Sequence, residues 1–278
     1  MYNGKLLSIG SNPKINKSDK SGKGFKTAIL HLSPYKLSGK NFCANASPGC
    51  IDGCLNTSGH GRFDKTQEAR LKRSKFFIED RLGFLEQLHK EINAFVKHCE
   101  KRNLKPAVRL NGTSDIVWEN IIFPYDWEKE PLIKSIFDWF PKVQFYDYTK
   151  SKRRVLKSDL PSNYHLTFSR SETTPIKDIR QILDNGTNVA VVFMCKRDAY
   201  CSKNFCDHYP NDFEPLSLLD SSITGAYDRV INGDLTDLRF LDQCLDLQGN
   251  PIKKGFIVCL SAKGKAKKDQ SGFVVKYN

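Results

Sequence analysis

Three cysteines in one loop, Cys43, Cys50 and Cys54, are the residues best suited to chemistry, and their spacing is C-x6-C-x3-C. The surrounding segment over residues 41–62, NFCANASPGCIDGCLNTSGHGR, is rich in glycine, asparagine, proline and serine. Cysteines that pack in a core lie inside apolar runs, and these three do not. Thiolates are soft ligands that bind iron–sulfur clusters, zinc and copper(I). The pattern therefore predicts a metal or cluster site, and thiols without metal are the alternative.

The number of cysteines helps to decide between zinc and an iron–sulfur cluster in this loop. A structural zinc site takes four ligands and would need a distant Cys or His, for which His60 is the nearest candidate. A [4Fe-4S] cluster held by three cysteines leaves one iron open to a small molecule. We therefore expect a [4Fe-4S] cluster, with zinc as the alternative.

A second group of possible metal ligands follows an apolar run later in the chain. Its members are Cys195, Cys201, Cys206 and His208. These residues could bind zinc or a second cluster, and thiols without metal are again the alternative. The remaining cysteines lie in apolar patterns and are predicted to pack as small hydrophobic residues; they are Cys99, Cys244 and Cys259.

Strands and helices alternate around these residues. Apolar patterns predict strands over 27–32, 106–111, 143–149, 164–169, 188–194, 229–232 and 255–261. They predict helices over 64–77, 80–101, 131–140 and 176–185, with Asp80 as the N-cap of the second. This order favours a single α/β domain over 1–278 with a mostly parallel sheet. We expect an open or incomplete (β/α) barrel, with a doubly wound sheet as the alternative. Residues 9–26 are predicted as a mobile basic loop and 262–278 as a basic C-terminal tail.

Functional residues of parallel sheets follow the carboxyl ends of strands, and polar residues stand at several predicted strand ends. Those expected to contact a cofactor are Asn111, Gly112, Thr113, Ser114, Asp115, Ser169 and Arg170. Ser114 or Asp115 could instead cap a helix, and Arg170 could form a surface salt bridge rather than bind a cofactor carboxylate. A basic run that could contact phosphates, or be solvated charge, comprises Lys150, Lys152, Arg153 and Arg154.

The composition bounds the class of protein. The 278 residues include 44 Lys and Arg against 31 Asp and Glu, so the net charge is 44 − 31 = +13. This surplus points weakly to a polyanionic partner such as a nucleic acid or nucleotide. No apolar run is long enough for a membrane span, and the N-terminus lacks the apolar run of a signal peptide. We therefore expect a soluble cytoplasmic protein with no membrane partner, and the oligomeric state stays open.

Two stretches carry a resemblance to a known family. LSPYKLSGKNFCANASPGCIDGCLNTSGHGRFD and VRLNGTSDIVWE resemble the bacteriophage "gene product 88" family of uncharacterised proteins. The resemblance implies a phage or mobile-element source, and hence the host cytoplasm. It implies no particular activity.

The position of the cysteine loop, directly after the first predicted strand, resembles the layout of radical S-adenosylmethionine enzymes. Their usual spacing is C-x3-C-x2-C, from which this chain departs. The resemblance implies that Cys43, Cys50 and Cys54 hold a [4Fe-4S] cluster whose open iron binds S-adenosylmethionine. One-electron reduction would then cleave that cofactor to a 5′-deoxyadenosyl radical. It also implies that residues 111–115 hold the amino group of the methionine moiety.

Two functions follow from these residues. The first is a radical S-adenosylmethionine-like iron–sulfur enzyme that modifies a nucleic acid or nucleotide in phage infection. The second is a non-catalytic, zinc-stabilised nucleic-acid-binding protein. A hydrolase or transferase without metal ranks last, because no Ser–His–Asp, P-loop or nucleophile-elbow motif is present. A shared site requires the cysteine loop and residues 111–115 to lie at the same end of the sheet.

Overall fold

The structure is a computed structural model that describes residues 2–10, 16, 19–20, 22–123, 134–194, 230–242 and 255–276. The strands are β1 (Leu7–Ile9), β2 (Phe25–Leu30), β3 (Lys105–Arg109), β4 (Ile122–Phe123), β5 (Lys134–Ser135), β6 (Gln144–Thr149), β7 (Tyr164–Ser169), β8 (Val189–Phe193), β9 (Val230–Asn232), β10 (Ile257–Ser261) and β11 (Val274–Val275). The α-helices are α1 (Pro48–Asp52), α2 (Asp64–Glu79), α3 (Arg81–Glu100), α4 (Ile136–Trp139), α5 (Lys152–Val155) and α6 (Ile176–Asp184). Single turns of 3-10 helix occupy Leu55–Thr57, Gly59–Arg62, Trp118–Asn120, Arg239–Leu241 and Gly264–Lys268.

Nine of the strands in the described residues form one mostly parallel sheet. Its order is β1-β2-β3-β6-β7-β8-β10-β9, with β11 paired to β8, and β4 and β5 form a separate pair. Strand β1 runs antiparallel to β2, whereas β2–β3, β3–β6, β7–β8, β8–β10, β9–β10 and β8–β11 are parallel. Among the described strands β1 and β9 end the order, so the sheet is open. The predicted α/β class with an open, mostly parallel sheet is confirmed.

The chain divides into two compact units. Unit 1 comprises Met1–Ala44, His60–Asp147 and Ser158–His165; unit 2 comprises Asn45–Gly59, Tyr148–Lys157 and Leu166–Asn278. Each unit is discontinuous in sequence, and β6 and β7 each contribute residues to both.

Unit 1 is built on β1, β2 and β3, and α3 packs against β3. Strands β2 and β3 pair in parallel with Ala28 opposite Val108, so both strands end at the same edge. Helix α3 begins where predicted, since the Asp80 carboxylate accepts a hydrogen bond from the N–H of Gly83 at 2.9 Å. Its buried face includes Phe84 and Leu88, whereas Leu82 in its first turn is exposed.

Unit 2 contains β8 at the centre of its parallel strands. Strand β8 pairs with β10 along its whole length, with Val189 opposite Ile257. Its other edge pairs with β7 at Ala190 and with β11 at Val192. Strand β11 therefore continues this edge beyond the end of β7. All but one of the residues of β8 are buried, as the continuous apolar run predicts.

Most predicted boundaries agree with the structure to within two residues, and β7 agrees at both ends. The helix predicted over 131–140 is shorter, because β5 ends at Ser135 and a capping box with Asp138 starts α4 there. The segment predicted as a basic tail contains a 3-10 turn and β11, with Ala266 and Phe273 buried. Within the described part of the chain, no helix has the length and apolar character to cross a membrane.

Candidate functional site

Cys43 and the loop after β3 are in contact in unit 1. The Cys43 Sγ accepts a hydrogen bond from the N–H of Tyr35 at 3.4 Å and donates one to the Thr113 carbonyl at 3.8 Å. The N–H of Asp115 donates to the carbonyl of Phe42 at 2.8 Å. Parallel pairing of β2 and β3 explains this contact, since loops after both strands leave at one edge. The prediction that the two loops lie at the same end of the sheet is confirmed for Cys43.

A buried carboxylate from β6 orders the loop after β3. Asp147 is fully buried and accepts hydrogen bonds from the backbone N–H of Asn111 at 2.7 Å and from its side-chain amide at 3.3 Å. The hydroxyl of Tyr164 donates to the same carboxylate at 3.0 Å, and the Arg109 Nε lies 3.9 Å from it. Buried carboxylates need such donors, so this cluster holds the loop in one conformation.

The side chain of Asn111 continues this order into the loop. Its Oδ1 accepts from the Ser114 hydroxyl and from the N–H of Ile116, each at 2.9 Å, and its Nδ2 donates to the carbonyl of Ile116. Neither Ser114 nor Asp115 caps an α-helix in the described structure, so that alternative is wrong. The next helical turn, at Trp118–Asn120, has no side-chain cap. The loop is an Asn-centred turn instead.

Gly112 lies where a side chain does not fit. Its N–H donates to the carbonyl of Leu30 at 3.0 Å. A Cβ on Gly112 would lie 2.5 Å from His31 Nδ1 and 2.6 Å from Ile29 Cγ2. Gly112, Thr113 and Asp115 are half-buried, which leaves part of the loop accessible.

Cys50 and Cys54 lie in unit 2, on and just after the short helix α1. Ser47 caps this helix, since its hydroxyl oxygen accepts from the N–H of Cys50 at 3.4 Å. Cys50 packs against the cluster that contains Ala266 and Phe273, and the Cys54 Sγ accepts from the N–H of Asn56. Cys43, Cys50 and Cys54 are half-buried, and none of them is in a disulfide.

Glu172, which follows β7, holds the start of α1. Its carboxylate accepts a hydrogen bond from the Ser47 hydroxyl at 2.6 Å and from the N–H of Gly49 at 2.8 Å. Burial alone would raise the pKa of Glu172, but the hydrogen bonds from Ser47 and Gly49 and the charge of Lys150 outweigh it, so the pKa is lowered. Glu172 was not predicted as a functional residue. The Ser47–Pro48 pair, an N-cap followed by proline, was the available signal for this helix.

Ser169 and Arg170, the cofactor contacts predicted at the end of β7, take part in hydrogen bonds within unit 2. The Arg170 guanidinium donates to the carbonyls of Gly272 at 2.9 Å and Phe273 at 3.1 Å, and burial lowers its pKa. The Lys150 ammonium donates to the hydroxyl and carbonyl of Ser169 and to the carbonyl of Arg170. A cofactor contact by Arg170 or Ser169 would require these hydrogen bonds to be exchanged.

The basic residues after β6 differ in burial and in their partners. Lys152 pairs with Asp178 at 2.6 Å, and Arg154 is buried and donates to the hydroxyl of Thr149 at 3.2 Å. Arg153 is exposed. Arg153 is therefore the member of the run best placed for a phosphate, and the role of the run stays a prediction.

The remaining cysteines and His208 do not add ligands to the cysteine loop among the described residues. Cys195, Cys201, Cys206 and His208 lie outside the described residues, as does Cys244. Cys99 is buried as predicted, and burial raises the pKa of its thiol to about 11. Cys259 is half-exposed rather than buried. Among the residues that the structure describes, no three or more His, Cys, Asp or Glu side chains are gathered as a metal site requires.

The fold and the site define an α/β protein with an open, mostly parallel sheet and a cysteine-bearing loop after its second strand. The family model for gene product 88 matches residues 5–277, and the chain belongs to that family. No curated protein and no solved structure matches the chain.

Proposed function

We propose that this protein is an iron–sulfur enzyme in which Cys43, Cys50 and Cys54 bind a [4Fe-4S] cluster and which acts on a nucleic acid or nucleotide. The observation that supports it best is the state of the three thiols. None of them is in a disulfide, all are half-buried, and they come from one polar segment of the sequence. Cys43 contacts the loop after β3 at the carboxyl ends of two parallel strands, and α/β proteins commonly bind ligands at such ends.

The donor set fits a thiophilic metal. Three cysteines from one glycine-rich loop supply soft ligands, and backbone N–H groups of such a loop can hydrogen-bond to cluster sulfurs. Metal binding would supply free energy that orders its own ligands. Glu172 and Ser47 already fix the helix that carries Cys50.

S-Adenosylmethionine is the small molecule that we propose for the open iron. When bound and reduced by an external one-electron donor, a [4Fe-4S] cluster would supply the electron for reductive cleavage of that cofactor. The contribution of this chain is to bind and orient it. The half-buried backbone of Gly112 and Thr113 lies beside Cys43 and suits the polar end of an amino acid. The hydrogen bond from the N–H of Asn111 to the Asp147 carboxylate helps to hold this backbone in position.

One observation favours the zinc-stabilised nucleic-acid-binding protein as a second candidate. In unit 2, the turn Gly264–Lys268 packs against the end of the cysteine loop, at Leu55–Thr57. Lys265, Lys267 and Lys268 on this turn are exposed and form no ion pair with another described residue. A metal held by the cysteine loop would then support a basic surface that binds phosphates.

Metal analysis of protein purified without oxygen tests the proposal. We expect about four irons and four sulfides per chain, with a broad visible absorbance, as for a [4Fe-4S] cluster. Alanine substitution of Cys43, Cys50 or Cys54 should abolish iron binding. The matched control is Cys259→Ala, which removes a cysteine of similar burial outside the loop and should retain iron.

Other metal contents discriminate between the candidates. One zinc per chain without visible absorbance would overturn the iron–sulfur proposal and support the second candidate. For S-adenosylmethionine, the assay is release of 5′-deoxyadenosine after addition of dithionite. Iron-loaded protein that releases none would refute that cofactor and leave the cluster itself.

A further inference from the structure

Phe63 is an exposed aromatic residue with a fixed backbone. Its side chain is 51% exposed, and it stands at the N-cap position of α2 without making a side-chain cap. The N–H of Phe63 donates to the carbonyl of His60 at 3.3 Å. Its own carbonyl accepts from the N–H groups of Thr66 at 2.9 Å and Gln67 at 3.0 Å. The ring is therefore presented to solvent from a backbone that is held on both sides.

Two further flat side chains lie beside the Phe63 ring. The Arg62 guanidinium carbon lies 5.6 Å from the ring centroid, and the His60 ring centroid lies 5.8 Å from it at an interplanar angle of 41°. All three side chains are exposed and belong to unit 1. Phenylalanine, histidine and arginine are the side chains on which unpaired nucleobases stack.

The charges around Phe63 favour an anion. Arg62 and Lys65 are exposed, and neither pairs with a carboxylate among the described residues. By contrast Lys72, further along the same helix, is paired with Glu68 at 2.7 Å. Asp64, also exposed, opposes the two positive charges. Its removal should therefore strengthen binding to a polyanion.

We propose that Phe63 is a stacking platform for an unpaired base of a single-stranded nucleic acid, with Arg62 and Lys65 contacting the adjacent phosphates. A base within a duplex has both faces covered by its neighbours, so the platform selects single strands. This inference deepens the proposed function by naming its substrate class, and it rests on that function only for the link to catalysis.

Fluorescence anisotropy with a fluorescein-labelled single strand of 15 thymidines tests the platform. Loss of one base–aromatic stack in Phe63→Ala should weaken binding about tenfold, whereas Phe63→Trp should bind as tightly as the original or more tightly. The matched control is Leu82→Ala, since Leu82 is 52% exposed in the same unit but is aliphatic. It should leave the affinity unchanged.

Salt dependence and charge variants test the phosphate contacts. Arg62→Ala should reduce the slope of log affinity against log salt by about 0.7 if it neutralises one phosphate. Asp64→Asn should raise the affinity. Equal binding by Phe63→Ala and the original protein, an equal loss in Leu82→Ala, or tighter binding to duplex than to single strand would each overturn the platform.

The platform and the cluster can fail separately. Iron that stays bound in Phe63→Ala while the oligonucleotide affinity falls supports the platform. If the protein contains no iron but Phe63→Ala still weakens oligonucleotide binding, the proposed function fails and the platform stands. If iron is bound and Phe63→Ala changes nothing, the platform fails and the proposed function stands.

Discussion

Replacement of Glu172 by alanine should loosen the short helix that carries Cys50. The Glu172 carboxylate accepts two hydrogen bonds, from the Ser47 hydroxyl at 2.6 Å and the Gly49 N–H at 2.8 Å. A hydrogen bond to a charged group contributes about 1.5–3 kcal/mol when it is sheltered. Because Glu172 is partly exposed, water replaces part of each bond, and we expect a combined loss of about 2 kcal/mol. Glu172→Gln should cost about 1 kcal/mol, since an amide oxygen still accepts from Gly49.

Hydrogen exchange at the amide of Gly49 measures this loss where it occurs. If the helix opens locally, a cost of about 2 kcal/mol should make exchange at this amide roughly thirtyfold faster in Glu172→Ala. The matched control is Glu68→Ala, because Glu68 pairs with Lys72 at 2.7 Å on an exposed helix face. Its removal should leave exchange at Gly49 and global stability unchanged.

The effect of Glu172 should depend on pH in a defined direction. Its pKa is lowered in the folded protein, so folding favours its ionised form over its protonated form. The stabilisation is fully present above the unfolded pKa of about 4.3 and is lost as the pH falls through the folded value. The difference between Glu172→Gln and the original protein in urea unfolding should therefore be present at neutral pH and shrink in strong acid.

Two outcomes would refute this reasoning. Unchanged exchange at Gly49 in Glu172→Ala would mean that the carboxylate does not hold the helix. A stability difference that grows as the pH falls would mean that the pKa of Glu172 is raised rather than lowered in the folded protein.

Two further predictions concern the loop after β3. Asp147→Ala should cost about 3–5 kcal/mol in urea unfolding, because it leaves the charge of Arg109 and several donors without their carboxylate. Gly112→Ala should cost about 1–3 kcal/mol, because its Cβ would approach His31 Nδ1 and Ile29 Cγ2. The double variant Gly112→Ala/His31→Ala should recover part of that loss in stability.

These predictions have their own controls. Asp178→Asn removes a carboxylate that is paired with Lys152 but is partly exposed, and it should cost much less than Asp147→Ala. A loss below that of Asp178→Asn would contradict the ordering role of Asp147. For Gly112→Ala, unchanged stability would mean that the loop shifts without strain.

Local patterns predicted the regular elements of this fold well. The run from Val189 to Phe193 has the apolar character of a strand buried on both faces, and Asp80 caps α3 as its side chain suggests. Strands β1 and β11 were not predicted. They have three and two residues, and their pairing depends on partners distant in sequence, β2 and β8. So short a segment carries no periodicity to read.

In the candidate site, too, contacts between residues distant in sequence could not be predicted. The thiols and the polar residues 111–115 were identified from residue type and spacing, and topology correctly predicted that Cys43 and Thr113 lie at one end of the sheet. The carboxylates that position them were not selected from the sequence. Asp147 is fully buried and accepts from the N–H of Asn111, and Glu172 accepts from the N–H of Gly49. A single carboxylate in a sequence does not reveal which distant N–H groups it will accept from.

Glu172 therefore gives the proposed cluster a test that does not depend on changing any cysteine. If metal orders its ligands at a cost in loop entropy, a loop that is already held should bind the metal more tightly. Glu172→Ala frees the helix of Cys50 while keeping all thiols, so we expect weaker iron retention against a chelator with little change in total helix content. Retention equal to that of the original protein would mean that the position of Cys50 is set by the metal alone and not by Glu172.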